Sequence, residues 1–211
     1  MGSEGPHRVP DAAIEYSGVI AEADAFGVID TESPQYRVMA EAWCAKYADL
    51  IAKFRQGTLS ERERSAIFGS AFHLIENLPQ YRDHPERATN PRERALADLR
   101  IQVGDGLELF TDEQMERIRA YTAVGSVVDR ALGIDGFLKI APPDHHHRSV
   151  YVTFDYTINP EKNKTRAAVL IKRLPDPDLA EKDYVVAVDA AGAAIVNEYR
   201  RQVLLREQRR R

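Results

Sequence analysis

A change in hydrophobic period near residue 149 constrains the fold of this chain more than any other feature. The segment SVYVTFDYTI alternates apolar with more polar side chains, a spacing of two that is typical of a half-buried strand. The apolar face of this predicted strand holds Val150, Val152, Phe154, Tyr156 and Ile158, and the opposite face holds Tyr151, Thr153, Asp155 and Thr157. Before this point the apolar residues recur every three to four positions, which indicates helices.

Four segments before the period change carry helix signals. Each opens with a capping residue, namely Ser33, Ser60, Asn90 and Thr111, and the first, third and fourth end at a glycine. The fourth predicted helix runs from Thr111 to Gly133, with a stripe formed by Met115, Ile118, Tyr121, Val128 and Leu132. A weaker helix is predicted around Asp11–Phe26.

Three further strands are predicted after the first one. They are TRAAVLIKR, DYVVAVD and AAIVNEY, and the last two are joined through the turn residues AAG. Because the connectors are short and polar, they favour antiparallel pairing. The sequence therefore predicts an α+β fold in which four to five N-terminal helices (residues 1–134) pack on a four-stranded antiparallel sheet (135–200). A basic tail (201–211) follows, and we expect one continuous domain.

Composition indicates a soluble protein with an ordinary core. Of its 211 residues, 44% are hydrophobic and 29% charged, and the apolar runs are far shorter than the ~20 residues that span a bilayer. The first ten residues show no secretion signal pattern, so we expect a cytoplasmic protein of bacterial type with no membrane association. Because Cys44 is the only cysteine, an internal disulfide and a cysteine-based zinc site are excluded.

A histidine run, His145–His147, stands immediately before the first predicted strand. Imidazole binds zinc, but adjacent side chains in extended backbone point to opposite faces, so at most His145 and His147 could share one ion. No helical HxxxH or HExxH motif supplies further ligands. We therefore expect a solvated hinge, with no metal and no cofactor, and keep acid–base catalysis as the alternative use of these histidines.

Charge is distributed unevenly along the chain. Residues 1–148 hold 17 basic and 24 acidic side chains, whereas residues 149–211 hold 12 basic and 9 acidic ones. A basic C-terminal portion suits a phosphate-bearing partner, although nucleic-acid-binding domains usually show a stronger bias.

The segment KDYVVAVDAAGAAIVNEYRR resembles, in pattern, the closing hairpin of metal-independent ribonucleases of the barnase, EndoU, colicin and RelE group. This resemblance implies RNA cleavage on the C-terminal sheet, with acid, base and cationic groups around the phosphate. The catalytic candidates under this reading are His145, His147, Arg148, Asn197 and Tyr199. The binding candidates are Arg166, Lys172, Arg200 and Arg201.

No catalytic constellation in the sequence is complete. The favoured hypothesis is therefore a soluble intracellular binding or interaction module, with another protein as its first expected partner and RNA as a possible one. The alternative is a metal-independent, ribonuclease-like bacterial effector or toxin domain that acts through the C-terminal sheet. Whether the protein is an enzyme stays open at this point.

Overall fold

The computed structural model describes residues 19–143 and 148–209, which form an α+β fold. The helices are α1 (Glu22–Phe26), α2 (Pro34–Gln56), α3 (Glu61–Glu76), α4 (Pro79–Arg82), α5 (Glu86–Thr89), α6 (Arg94–Gly106), α7 (Asp112–Met115), α8 (Val127–Leu132) and α9 (Pro177–Gln208). The strands are β1 (Ile118–Thr122), β2 (Gly136–Ile140), β3 (Val150–Thr157) and β4 (Val169–Lys172). The predicted fold class is confirmed, whereas the sheet differs from the prediction.

The sheet has the order β1-β2-β3-β4 and is mixed, not purely antiparallel. β1, β2 and β3 are antiparallel neighbours, but β4 runs parallel to β3, from Phe154 opposite Val169 to Thr157 opposite Lys172. A parallel pair usually needs a long crossover. Here β4 overlaps only the last four residues of β3, so residues 158–168 have to carry the chain back by only about 10 Å.

Side chains on both faces of the sheet are buried. The predicted apolar face of β3 is confirmed, since Val150, Val152, Phe154 and Tyr156 pack into a core with α1, α6 and α9. On the opposite face, Tyr121 and Phe137 pack with α2, α3 and α8. The sheet therefore lies between two helical layers, each with its own apolar core.

The helices predicted from Ser33 and Ser60 are confirmed as α2 and α3. The Ser33 side chain accepts a hydrogen bond from the Tyr36 amide, and Gly57 closes α2 in the left-handed conformation (φ 73°). Ser60 and Glu63 form the predicted capping box of α3. The helix predicted from Asn90 begins later, at Arg94.

The fourth predicted helix is wrong. Residues 111–133 form α7, β1 and α8 instead, and the apolar positions attributed to one helical stripe belong to different elements. Gly125 (φ 77°) turns the chain after β1, and Ser126 then caps α8 through the amides of Val128 and Asp129. Strand β2, GFLKI, was not predicted.

The last two predicted strands are also wrong, because DYVVAVD and AAIVNEY lie within α9. The buried residues Tyr184, Val188, Ile195 and Val196 follow helical spacing, and Gly192 is part of the helix, not a turn. A Cβ at Gly192 would lie 2.7 Å from the Cβ of Gln102, so this glycine permits close packing of α9 on α6. Across residues 19–143 and 148–209, no helix combines the length and the apolar character needed to span a bilayer.

Candidate functional site

A groove of about 1410 Å³ lies beside the first half of β3. It exists because β4 pairs only from Phe154 onward, which leaves Val150–Thr153 without a strand on that side. The groove is bordered by α3, by residues 166–168 before β4 and by the C-terminal half of α9. Its position on the sheet therefore follows directly from the short overlap of β3 and β4.

The backbone of this open edge of β3 is already hydrogen-bonded by side chains. Gln202 Nε2 donates to the carbonyl oxygen of Tyr151 (3.4 Å), and Arg206 Nη1 donates to the carbonyl oxygens of Arg148 (2.8 Å) and Ser149 (3.2 Å). An extended peptide that joins a sheet uses exactly such carbonyl groups. The edge is therefore capped against strand addition, and this argues against a peptide partner that binds by that mode.

Cationic side chains dominate the lining of the groove. Within the described part of the chain, two acidic residues line it, Glu198 and Glu207, against seven basic ones: Arg64, Lys139, Arg148, Arg166, Arg201, Arg206 and Arg209. These residues come from α3, β2, α9 and the segments before β3 and β4. We call this feature the basic groove.

Some of these cations have acidic partners. Lys139 Nζ lies 2.7 Å from Glu76 Oε2, Arg201 forms a two-point ion pair with Glu198, and Arg209 contacts Glu61. In contrast, Arg64, Arg148 and Arg166 are exposed and form no ion pair with any described residue. Within the part of the chain that the structure describes, no ion pair offsets the positive charge that these three side chains give the basic groove.

Two of the unpaired arginines converge on one aromatic ring. The Cζ atom of Arg64 lies 5.8 Å from the ring centroid of Phe54, and that of Arg166 lies 5.2 Å from the same centroid. Phe54 itself is buried and packs edge-on against Phe68. One ring is thus in cation–π range of two guanidinium groups that come from distant parts of the sequence and line the same groove.

Aromatic side chains also line the basic groove. Phe68, Tyr151 and Tyr199 are half-buried there, and Lys139 Nζ lies 5.5 Å from the ring centroid of Tyr151. Burial, together with the nearby Glu76 carboxylate, raises the pKa of Tyr151. This hydroxyl therefore stays protonated and neutral across the physiological pH range.

Four of the site residues predicted from the sequence line the basic groove: Arg148, Arg166, Tyr199 and Arg201. Three others lie elsewhere. Asn197 is exposed on α9 and outside the groove, Arg200 donates to the Gly106 carbonyl oxygen (2.9 Å), and Lys172 donates to Asn163 Oδ1 (2.7 Å). His145 and His147 lie outside the described residues, so their predicted roles stay predictions.

Sequence reasoning missed several residues of the basic groove. Arg64 stands in the run ERER, where it resembles any solvated helix arginine, and Lys139 belongs to the unpredicted strand β2. Phe68 lies among the apolar residues of α3, where the sequence alone indicates core packing. The alternation of apolar and polar residues in β3 places Tyr151 on the face opposite the apolar face. This pattern is the sequence signal that points to Tyr151 as a groove residue.

A second polar cluster lies away from the groove. Carboxylate oxygens of Glu22, Asp129 and Asp135 are within 4.8 Å of one another, a set of the kind that Mg²⁺ and Ca²⁺ bind. Burial raises the pKa of Asp135 to about 8, so this carboxyl is largely protonated at neutral pH. Backbone amides of Gly125 and Tyr156 donate to Asp129 and Asp135, respectively.

Comparison of the chain with protein-family models, with curated proteins and with solved structures gave no match.

Proposed function

We propose that this protein binds single-stranded nucleic acid in the basic groove. The observation that carries the proposal is the combination, in one groove, of half-buried aromatic side chains with three arginines that form no ion pair with a described residue. Proteins that bind single strands without sequence preference combine cations that follow the phosphates with rings on which bases stack. Arg64, Arg148 and Arg166 supply the first feature, and Phe68, Tyr151 and Tyr199 supply the second.

The shape of the groove supports an extended ligand. Its volume of about 1410 Å³ exceeds the roughly 300–1,000 Å³ typical of small-molecule sites, and its cations come from several elements instead of one. An acidic protein is the competing partner, but Gln202 and Arg206 already donate to carbonyl groups at and just before the start of β3 that an extended peptide would use. The groove's aromatic rings also favour nucleic bases over carboxylates.

The proposal concerns binding and not cleavage. No histidine lines the groove among the described residues, and the Glu198 carboxylate is engaged by Arg201 and Gln202. Ribonuclease-like cleavage is kept as an outcome of the binding experiment, in which the RNA is recovered and its length measured.

The test measures fluorescence anisotropy of labelled strands of about 12 nucleotides, a length within the range that single-strand binders cover. RNA and DNA of one sequence form separate arms, and polyglutamate serves as the acidic-protein competitor. If three arginines each neutralise one phosphate, the logarithm of the association constant should fall linearly with the logarithm of the salt concentration, with a slope of about −2. We expect the Arg148→Glu variant to bind at least about tenfold more weakly, since it loses one contact and gains a repulsive charge.

The matched control is Arg92→Glu, because Arg92 is exposed and lies outside the groove. Its affinity should stay within about twofold of the wild type, since a remote exposed charge contributes little. Absence of binding at low salt, or an equal effect of the two substitutions, would contradict the proposal. Displacement of the strand by polyglutamate at equal charge concentration would favour an acidic protein partner, and shortened RNA would favour the ribonuclease alternative.

A further inference from the structure

Arg64 and Arg166 both lie over the ring of Phe54, although they belong to α3 and to the segment before β4. Their Cζ atoms lie 5.8 and 5.2 Å from the centroid of this one ring. The ring is fixed, because Phe54 is buried and packs against Phe68 with centroids 5.6 Å apart. Both guanidinium groups line the basic groove. The two guanidinium carbons are therefore within about 11 Å of each other, a gap that these long, exposed side chains can close around one anion.

The acidic residues nearest in sequence to Arg64 are engaged elsewhere. Glu61 contacts Arg209, and Glu63 binds Lys53 and closes the capping box with Ser60. Among the described residues, the side chains of Arg64 and Arg166 form no hydrogen bond or ion pair, and the contact that each makes is with the Phe54 ring. Two like charges placed together without a counter-charge repel each other, and an anion bound between them relieves that repulsion.

The charge and the donor geometry select one kind of anion. A phosphate monoester carries a charge of about −1.5 to −2 at pH 7 and three acceptor oxygens, whereas a diester within a strand carries a single charge. Two guanidinium forks match the monoester in charge and can bind its oxygens in pairs. Resting on the function proposed above, we infer that Arg64 and Arg166 form a subsite for the terminal phosphate of a single strand.

The experiment compares three RNAs of one sequence, which carry a 5′-phosphate, a 3′-phosphate or hydroxyl groups at both ends. We expect the wild type to bind one of the phosphorylated strands about tenfold more tightly than the hydroxyl strand, as a charge-assisted contact of about 1.4 kcal/mol would give. The preference should disappear in Arg64→Gln and in Arg166→Gln. It should also shrink as the pH falls through about 6, where the phosphate takes up a proton.

Arg62→Gln is the matched control, because Arg62 is exposed on the same helix and does not line the groove. It should keep the full preference. A second readout needs no RNA: the Nε–H resonances of Arg64 and Arg166, assigned by their loss in the two variants, should shift when inorganic phosphate is titrated into the wild-type protein. Resonances that do not move would overturn the subsite.

The outcomes separate this inference from the proposed function. If the two Gln variants weaken hydroxyl and phosphorylated strands equally, the pair binds internal phosphates, and the terminal-phosphate subsite is wrong while the function of the groove stands. If no strand binds but inorganic phosphate shifts both resonances, the proposed function fails and the anion subsite survives. If strands bind with no preference between termini, the inference is again overturned.

Discussion

The rings of Phe72 and Tyr151 are stacked, with centroids 4.4 Å apart and planes inclined by only 3°. Phe72 lies on α3 and Tyr151 on β3, so the pair joins the helical layer to the sheet at the basic groove. Phe72 also contacts Phe137, with centroids 4.7 Å apart. Phe72 therefore packs at the junction of α3, β2 and β3.

Replacement of Phe72 by Ala should lower the free energy of unfolding by about 3–5 kcal/mol, because it removes buried apolar surface and leaves a cavity. Urea unfolding followed by circular dichroism measures the change. Phe110→Ala is the control, since Phe110 is 76% exposed, and its effect should stay within about 0.5 kcal/mol. An unchanged midpoint for the Phe72 variant would contradict this packing.

Two helical glycines should respond oppositely to the same substitution. Nothing lies within 4 Å of a Cβ added at Gly69, so Gly69→Ala should stabilise the protein by about 0.5–1 kcal/mol through helix propensity. A Cβ at Gly192 would meet the Gln102 Cβ at 2.7 Å, so Gly192→Ala should destabilise it, since α9 must move away from α6. Thermal unfolding measures both, and a rise in Tm for the two variants alike would contradict the close packing.

The buried carboxyl of Asp135 should make stability depend on pH. Burial raises its pKa to about 8, whereas an unfolded aspartate titrates near 3.8, so between these values the folded protein binds the extra proton. Stability should therefore fall as the pH rises from about 4 to about 8, by at most about 1.4 kcal/mol per pH unit for one proton. The raised pKa values of Glu22 and Asp129 act in the same direction.

Asp135→Asn tests this assignment, because an amide resembles the protonated acid and its oxygen can still accept the Tyr156 amide hydrogen. Urea midpoints measured between pH 6 and 9 should fall less steeply for the variant than for the wild type. Parallel midpoint curves for the two proteins would show that another group carries the dependence.

Sequence patterns identified those elements whose local signals agree with their tertiary surroundings. The capping serines and glycine of α2 and α3, and the alternation of β3, predicted real elements. The pattern failed in α9, where Tyr184, Val186 and Val188 also alternate with a period of two. The packing of Tyr184 and Val188 in the core, with Gly192 against α6, selects the helix, which also begins at an Asp176 cap followed by Pro177. The sequence of this segment fits both the strand period of two and the helical period of about 3.6, and the tertiary contacts favour the helix.

The basic groove could be predicted only in part. Arg148, Arg166 and Arg201 were candidates because they belong to the basic C-terminal portion. Arg64 lies in the acidic N-terminal portion, and it is near Arg166 because both side chains lie over the Phe54 ring of α2. The proximity of Arg64 and Arg166 depends on how α2, α3 and the segment before β4 pack against one another. Hydrophobic periodicity does not encode that packing.

The capped edge of β3 yields a fourth prediction. Gln202→Ala combined with Arg206→Ala removes the donors to the carbonyl oxygens of Tyr151, Arg148 and Ser149. An unprotected strand edge pairs with other chains, so this double variant should self-associate with rising concentration in sedimentation velocity experiments. Arg200→Ala, which loses only a contact with Gly106, should stay in the state of the wild type.

The same cap has a consequence for biosynthesis. Gln202 lies 51 residues after Tyr151, so the ribosome needs roughly 3 to 10 s to make the intervening chain at ordinary translation rates. Throughout that interval the nascent chain presents an uncovered strand edge beside its own apolar core. We therefore expect molecular chaperones to engage the chain between the synthesis of β3 and the emergence of the last turns of α9.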